Sequence, residues 1–254
     1  MCSSDLLVAT ALAALALASP VSFLQAQQRA DGSYGDPQST SWVLLALHAK
    51  RIADAPAESW LRDRAASLQA PTDVALAALA LGGPPELLDR LPRTGPSLNA
   101  AFWTILALRA GGRAVPPETV RYVLSGQARS GGFSWARGVA ADSNDTAAAI
   151  EALRAAGVSG RPVTRALAFL ARFQNRDGGF ALTRGRASDS QSTAWAIQAY
   201  LAAGKRPPKT AYRFLTRMLQ PDGSYRYSAR YASTPLWVTA QVVPALAGKA
   251  FPLS

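Results

Sequence analysis

The chain has 254 residues, 49% of them hydrophobic and 17% charged, with a formal net charge of +11. Its single cysteine, Cys2, and single histidine, His48, exclude an internal disulfide and a zinc site built from the usual nitrogen and sulfur ligands. Only four of the 27 cationic residues are lysine, the arginines are scattered, and no nucleic-acid recognition motif is present. We therefore expect no metal, no cofactor and no nucleic-acid partner, and the abundance of alanine and leucine favours an all-α protein.

Residues 1–18 begin the chain with the pattern of a secretory signal peptide. The apolar run LLVATALAALAL is too short to span a bilayer, and Ala16 and Ala18 stand at the small positions of a cleavage site before Ser19. The opening residues MCSSD carry no positive charge, which departs from that pattern. We predict a secreted or cell-surface protein with a single domain at 19–254. The alternative is that the segment forms a first helix packed on the domain.

Amphipathic and apolar helical segments alternate along the rest of the chain. The amphipathic segments are predicted to form outer helices, and those that are apolar nearly all round to form enclosed inner helices, because a helix without a polar face is a buried one. The predicted outer helices are 19–28, 57–69, 84–91, 116–127, 162–174 and 208–219. The predicted inner helices are 38–50, 72–82, 97–111, 143–156, 190–203 and 234–247. The pattern therefore predicts six helical hairpins.

A glycine-containing turn separates the outer from the inner helix in several of these units. It reads QNRDGGF at 174–180 and recurs as QARSGGF, QQRADGSY and QPDGSY. The aromatic anchors Phe133 and Phe180 are 47 residues apart, and Tyr225 follows Phe180 after 45. Glycine tolerates positive φ, and aspartate can hydrogen-bond its own backbone. We predict a structural role for this motif as the connection between an outer helix and the next inner one.

The sequence Gln-x-x-Asp-Gly-Gly/Ser-aromatic, followed by Ser-Thr-Ala-Trp, resembles the repeat shared by prenyltransferases and squalene cyclases. The resemblance covers residues 22–248 and is most specific over 120–248. It implies an all-α toroid, (α/α)6, in which six helical hairpins place their inner helices around a central cavity. The aspartate, cysteine and histidine that hold zinc in protein prenyltransferases have no counterpart here, and neither does the Cys-Gly-Glu-Gln stretch of complement-type thioester domains.

The class II terpene cyclases of this superfamily protonate a double bond or an epoxide with the middle aspartate of an Asp-x-Asp-Asp-Thr-Ala motif. The corresponding stretch here is DSNDTA at 142–147, which places Asn144 at the proton-donor position between Asp142 and Asp145. The next unit reads DSQSTA, with Gln191 in the same position. An amide is too weak an acid for general-acid catalysis, so we expect no cyclase activity. The alternative is a divergent cyclase with a relocated acid.

Asp142, Asp145 and Asp189 stand where two inner helices begin, and two roles stay open for them. They cap the helices and favour the positive ends of the helix dipoles, or they bind a polar or cationic group of a ligand at the cavity mouth. Glu151 is expected to lie too far along the fourth inner helix to reach that mouth.

Four tryptophans lie early in inner helices beside amide and hydroxyl side chains, among them Gln38 and Asn99. If they face the axis, they line an aromatic and amide-lined bowl; otherwise they fill the space between the inner and outer rings. The candidate ligand-binding residues are therefore Trp42, Trp103, Asp142, Asp145, Asp189, Gln191, Trp195, Trp237 and Gln241. The expected ligand is an unknown small molecule, isoprenoid-like or, by fold-level analogy with transcobalamin-like carriers, corrinoid-like. A structural cell-surface protein held to anionic wall polymers by its positive charge is a further alternative.

Overall fold

The computed structural model describes residues 19–253, which form twelve α-helices and no β-strand beyond isolated bridges. The helices are α1 Pro20–Ala26, α2 Pro37–Ala49, α3 Ala55–Ala65, α4 Pro71–Ala80, α5 Pro85–Leu88, α6 Leu98–Ala110, α7 Pro117–Ser125, α8 Ser143–Ala155, α9 Arg161–Ala171, α10 Ser190–Ala202, α11 Lys209–Met218 and α12 Pro235–Leu246. Each of them overlaps one predicted helix, so the all-α class is confirmed. The predicted signal peptide, residues 1–18, lies outside the described residues.

The even-numbered helices form a closed ring. Each packs on the next one along the chain, from α2 through α4, α6, α8 and α10 to α12, and α12 packs back on α2. The odd-numbered helices lie outside, and those that follow an inner helix pack mainly against it. Helix α1 packs on α12 and so completes the outer layer. The predicted toroid of six hairpins is confirmed, and no helix within 19–253 is long and apolar enough to cross a membrane.

The composition of each helix follows from its layer. An inner helix contacts two inner neighbours, an outer helix and the axis, so it has no face for solvent; in α6 every residue from Ala100 to Leu108 is buried. An outer helix buries one stripe only, as α9 does with Val163, Ala166 and Leu170. The small side chain of alanine, abundant in the inner helices, lets neighbouring helices approach closely.

One outer helix is much shorter than predicted. The segment 84–91 was expected to be helical, but α5 ends at Leu88 after a single turn. Pro92 disfavours the helical conformation for Leu91, the residue before it, because the proline ring clashes with the preceding backbone. The chain then passes through turns and bends until α6 begins at Leu98.

Each aromatic anchor is held by a threonine of the inner helix that follows it. The Phe180 N–H donates to Thr193 Oγ1 at 2.8 Å, and that hydroxyl donates to the Asp189 carbonyl at 2.7 Å. The same N–H to hydroxyl bond joins Tyr34 to Thr40, Phe133 to Thr146 and Tyr225 to Thr239. Four units therefore share one register between turn and inner helix.

The glutamine of the motif ties its turn to the next outer helix. Gln174 Nε2 donates to the Gly178 carbonyl and to Thr210 Oγ1, both at 2.9 Å. Gln127 Nε2 bonds the Gly131 and Pro162 carbonyls in the same way, both at 2.8 Å. These bonds join successive hairpins, which confirms the predicted structural role of the motif.

The hydrogen bond from the Phe180 N–H to Thr193 predicts different effects of substitution at two buried threonines. We expect Thr193→Val to lower the free energy of unfolding by about 1–3 kcal/mol, because the buried Phe180 N–H loses its acceptor. Thr104→Val is the matched control: its hydroxyl is buried without a partner in the described part of the chain, so its removal should be neutral or stabilising. Urea denaturation of both variants measures this, and equal losses would contradict it.

Candidate functional site

A bowl of about 280 Å³ opens at the end of the ring where the inner helices begin. All six inner helices line it in two layers, because side chains four residues apart share one face of a helix. The upper layer is Gln38, Thr72, Asn99, Asn144, Gln191 and Trp237. The lower layer, one turn deeper, is Trp42, Leu76, Trp103, Ala148, Trp195 and Gln241. Asp73 and Asp145, each next to an upper-layer residue, complete the lining.

The floor of the bowl is a cluster of three tryptophans on the axis, Trp42, Trp103 and Trp195, and Trp237 of the upper layer packs against it. The ring centroid of Trp42 lies 5.5 Å from that of Trp103 and 5.9 Å from those of Trp195 and Trp237, all edge-on. Trp103 and Trp195 meet at 5.7 Å. Edge-to-face pairs add stabilisation beyond their burial. Of the two arrangements open at the sequence level, the tryptophans adopt the one that faces the axis.

The C-terminal segment closes the ring beneath the tryptophans. The Phe251 ring lies 6.1 Å from Trp42 and 6.2 Å from Trp195. Its N–H donates to Glu151 Oε2 at 2.6 Å, and Glu151 is completely buried. Burial raises the pKa of this carboxyl to about 8. As expected, Glu151 does not reach the bowl. No local sequence pattern predicted that Phe251 would pack beneath the tryptophans.

Hydrogen bonds between neighbouring inner helices order the polar lining. Gln241 Oε1 accepts from Trp195 Nε1 at 2.8 Å and from Gln191 Nε2 at 2.9 Å. Gln38 Nε2 donates to Asp73 Oδ1 at 2.6 Å. The Nε2 of Gln241 is buried and has no partner among the described residues, which leaves one donor in the floor without an acceptor.

The residues of the cyclase-like motif divide between two roles. Asp142 caps α8, its Oδ1 accepting the Asp145 N–H at 2.8 Å, and Asp189 caps α10 by accepting the Ser192 N–H at 2.7 Å. Neither lines the bowl. Asn144 and Asp145 do. Within 19–253, no three histidine, cysteine or acidic side chains are placed to hold a metal ion.

Asp145 is one of the two carboxyl groups that line the bowl, and its pKa is raised. Burial raises its pKa to about 7, and the neighbouring Asp142 carboxylate adds to that rise. Asn99 Nδ2 opposes the rise by donating to Asp145 Oδ1 at 2.7 Å. Burial also raises the pKa of Asp142 and of Asp189. Asp145 can therefore exchange a proton near neutral pH at the bowl wall.

The buried carboxyls predict a stability that falls as pH rises. A folded-state pKa near 8 for Glu151, against 4.5 in the unfolded chain, means that the folded protein holds this proton more tightly. The contribution of Glu151 to stability is therefore complete below pH 4.5 and is lost as the pH rises to about 8. We expect Glu151→Gln, which keeps an acceptor for the Phe251 N–H, to flatten much of this slope. Urea midpoints across that range test this, with the exposed Glu86→Gln as control; an unchanged slope in Glu151→Gln would contradict it.

Four lining residues were not anticipated from the sequence. Thr72, Asp73 and Leu76 belong to a unit without the glycine turn, and Ala148 carries no chemistry that draws attention. Ala148 had an indirect signal, since it stands one helical turn after Asn144, which itself lies two positions before the anchoring Thr146. The unit of Thr72 has Val74 at the anchoring position, so no such signal fixed its register.

No protein-family model and no curated protein matches this chain. Solved structures do match it. A protein from Actinoplanes superposes with a TM-score of 0.66 at 19% identity, covering 90% of this chain and 97% of that one. The ent-copalyl diphosphate synthase from Streptomyces platensis superposes with a TM-score of 0.57 at 20% identity over 84% of this chain. A variant of the type II terpene cyclase MstE from Scytonema, in complex with geranylgeranyl dihydroxybenzoate, gives 0.50 at 13% identity, covering 90% of this chain and 95% of that one.

The fold is the α/α toroid of the type II terpene cyclases. The resemblance stated from the sequence is thereby confirmed at the level of the fold. This chain spans about half the length of the Streptomyces enzyme, since 50% of that chain is covered. At such identities the likeness concerns architecture, and the chemistry must be argued from the bowl.

Proposed function

We propose that this protein binds a small ligand in the bowl and does not catalyse cyclisation. The observation that carries this proposal is the tryptophan floor, which closes the axis one helical turn below the upper layer. A cyclase must enclose a folded polyene in a chamber beneath its acid. Here that space holds Trp42, Trp195 and Phe251, and the donor position carries the amide of Asn144.

The lining favours a compact ligand of mixed polarity. The floor presents aromatic surface to an apolar group, and the upper layer supplies amide donors and acceptors around it. Asp73 and Asp145 favour a hydrogen-bond donor or a cation. The volume of about 280 Å³ lies just below the usual range for ligand pockets, which begins at about 300 Å³. It suits one end of an isoprenoid better than a whole corrinoid.

Titration with two probes, geranylgeraniol and cobinamide, followed by calorimetry, tests the proposal. We expect saturable binding of geranylgeraniol at one site per chain and weaker binding of cobinamide. Asn144 is half-buried in the wall of the bowl, and Asn144→Trp would fill part of the space that the ligand occupies. This variant should weaken binding by tenfold or more, which corresponds to about 1.4 kcal/mol or more of binding free energy. Gln69→Trp, at an exposed amide outside the lining, is the matched control. Absence of saturable binding, or binding that Asn144→Trp leaves unchanged, would overturn the proposal.

A divergent class II cyclase is the second candidate, and Asp145 is the observation that favours it. This carboxyl lines the bowl, and a pKa near 7 leaves part of it protonated at neutral pH. Wild type, Asp145→Asn and Asn144→Asp should be incubated with squalene and with geranylgeranyl diphosphate, with products read by mass spectrometry. A cyclic product lost in Asp145→Asn would establish the cyclase. No product from wild type or Asn144→Asp would support the binding role.

Secretion is part of the proposal and rests on the sequence of residues 1–18. It is supported by Ser19, which follows the expected cleavage site and caps α1 by accepting the Ser22 N–H at 3.1 Å. Expression of the whole chain in a secreting host should yield an exported protein whose first residue is Ser19. A chain retained in the cell with its first residues intact would contradict secretion.

A further inference from the structure

The loops that precede α8, α10 and α12 lie around the mouth of the bowl. In each loop, a backbone carbonyl accepts a hydrogen bond from an N–H in the first turn of the inner helix one unit earlier. The Trp135 carbonyl accepts from the Asn99 N–H at 3.0 Å, the Leu182 carbonyl from the Ser143 N–H at 3.2 Å, and the Tyr227 carbonyl from the Ser190 N–H at 2.7 Å. The three loops therefore cover the beginnings of α6, α8 and α10, which are consecutive in the ring. Neighbouring helices lie about 10 Å apart, so the loops form an arc of roughly 20 Å.

These loops expose large apolar side chains. The exposed fractions are 54% for Trp135, 43% for Val139, 40% for Leu182 and 53% for Tyr231, and we call these four residues the mouth patch. They are four of the six exposed large apolar residues within 19–253. Scattered apolar residues on a surface are ordinary, but a group on one face marks an interaction site.

The parts of these loops that carry the mouth patch are basic, and the exposed acids of the loops before α10 and α12, Asp177 and Asp222, lie ahead of those parts in the glycine turns. Arg137, Arg184, Arg186 and Arg230 are exposed, and the stretches 127–141, 181–188 and 226–234 contain no aspartate or glutamate. The Arg230 guanidinium lies 5.3 Å from the Tyr231 ring centroid. The opposite end of the ring is also basic, with Lys205 and Arg206 exposed. Among the described residues, its one exposed large apolar side chain is Leu246, at the end of an inner helix.

We propose that the mouth patch docks this protein on an anionic lipid surface, with the bowl facing the lipid. Tryptophan and tyrosine favour the interface between headgroups and acyl chains, and arginine beside them pairs with lipid phosphates. Leu182 and Val139 gain from insertion among acyl chains, whereas an anionic polymer in water would leave both exposed. Because the docking residues lie outside the bowl lining, the inference holds whatever ligand the bowl takes.

Vesicle flotation of the domain, residues 19–254, tests the docking. We expect binding to vesicles of equal parts phosphatidylcholine and phosphatidylglycerol, and at least about tenfold weaker binding to phosphatidylcholine alone. The Arg184→Gln/Arg186→Gln pair should weaken binding about tenfold or more, at about fivefold per charge. Trp135→Ser/Leu182→Ser should do the same by removing inserted apolar surface, by roughly tenfold.

Two controls match these variants. Leu246→Ser removes an apolar side chain with the same 40% exposure as Leu182, and Lys205→Gln/Arg206→Gln removes two exposed charges at the other end of the ring. Both should bind vesicles as the wild type does. Equal losses in controls and mouth variants would overturn the proposal, and so would vesicle binding that Trp135→Ser/Leu182→Ser leaves intact, since a purely ionic surface for an anionic polymer predicts that result. Circular dichroism confirms that each variant is folded.

Discussion

The Gly178→Ala variant is expected to lose about 2–5 kcal/mol of unfolding free energy, from a left-handed backbone that costs an L residue about 1–2 kcal/mol and from overpacking that costs about 1–3 kcal/mol. Gly178 has a φ of +89°, and a Cβ on it would lie 2.6 Å from the Thr210 carbonyl oxygen. That oxygen is backbone at the start of α11, so the clash cannot be relieved by a rotamer change.

Gly185→Ala separates the two causes. Gly185 has nearly the same φ, +83°, but nothing lies within 4 Å of the position that a Cβ would take there. Its substitution should therefore cost only the backbone strain, about 1–2 kcal/mol. Chemical denaturation of both variants gives the comparison. If the two lose the same stability, the close approach of the turn to the next hairpin does not contribute, and our account of how the hairpins are joined is wrong.

Trp42→Ala is expected to have the second large effect, a loss of about 3–5 kcal/mol typical of truncating a buried tryptophan. Trp42 is 4% exposed and contacts four aromatic rings, those of Trp103, Trp195, Trp237 and Phe251. No other residue of the floor makes as many ring contacts within 19–253. The substitution removes the centre of the floor and deepens the bowl along the axis.

The matched control is Trp60→Ala on the outer helix α3. Trp60 is half-buried, stacks under Arg64 and donates to Asp31, so its truncation should cost clearly less than that of Trp42. Urea denaturation measures the losses, and near-ultraviolet circular dichroism should lose the signal of coupled indoles in Trp42→Ala alone. Similar losses for both variants would show that the axial cluster does not hold the ring together.

Our proposal of a noncatalytic role depends on two features, the tryptophan floor and the residue at the donor position. An amide such as that of Asn144 is too weak an acid to supply a proton, and packed aromatic rings occupy the axis below it. Asp145, one residue further on, retains an acid whose pKa lies near neutrality. The variants therefore address different questions. Asn144→Trp tests whether the space in the bowl binds a ligand, and Asp145→Asn tests whether the Asp145 carboxyl acts as an acid.

The register of each hairpin could be read from the sequence because its signals are local. Apolar periodicity, prolines at helix starts and glycines in turns act within a few residues, so all twelve helices and the role of QNRDGGF were predictable. The Asn144 position followed from the same register, as part of the DSNDTA stretch. The predicted helix 84–91 is longer than α5, because apolar periodicity does not register Pro92, which follows the predicted helix and disfavours the helical conformation of the residue before it.

By itself, the sequence determined the helices, their order and the amide at the donor position, since each depends on neighbouring residues. Only the tertiary structure decided that the tryptophans meet on the axis, that Asp73 joins the bowl and that Phe251 closes it from beneath. It also decided the acidity of Asp145, which depends on burial and on Asn99 from another hairpin. These features arise from ring closure, which brings α2 against α12, and no local pattern encodes contacts between residues so far apart in the chain.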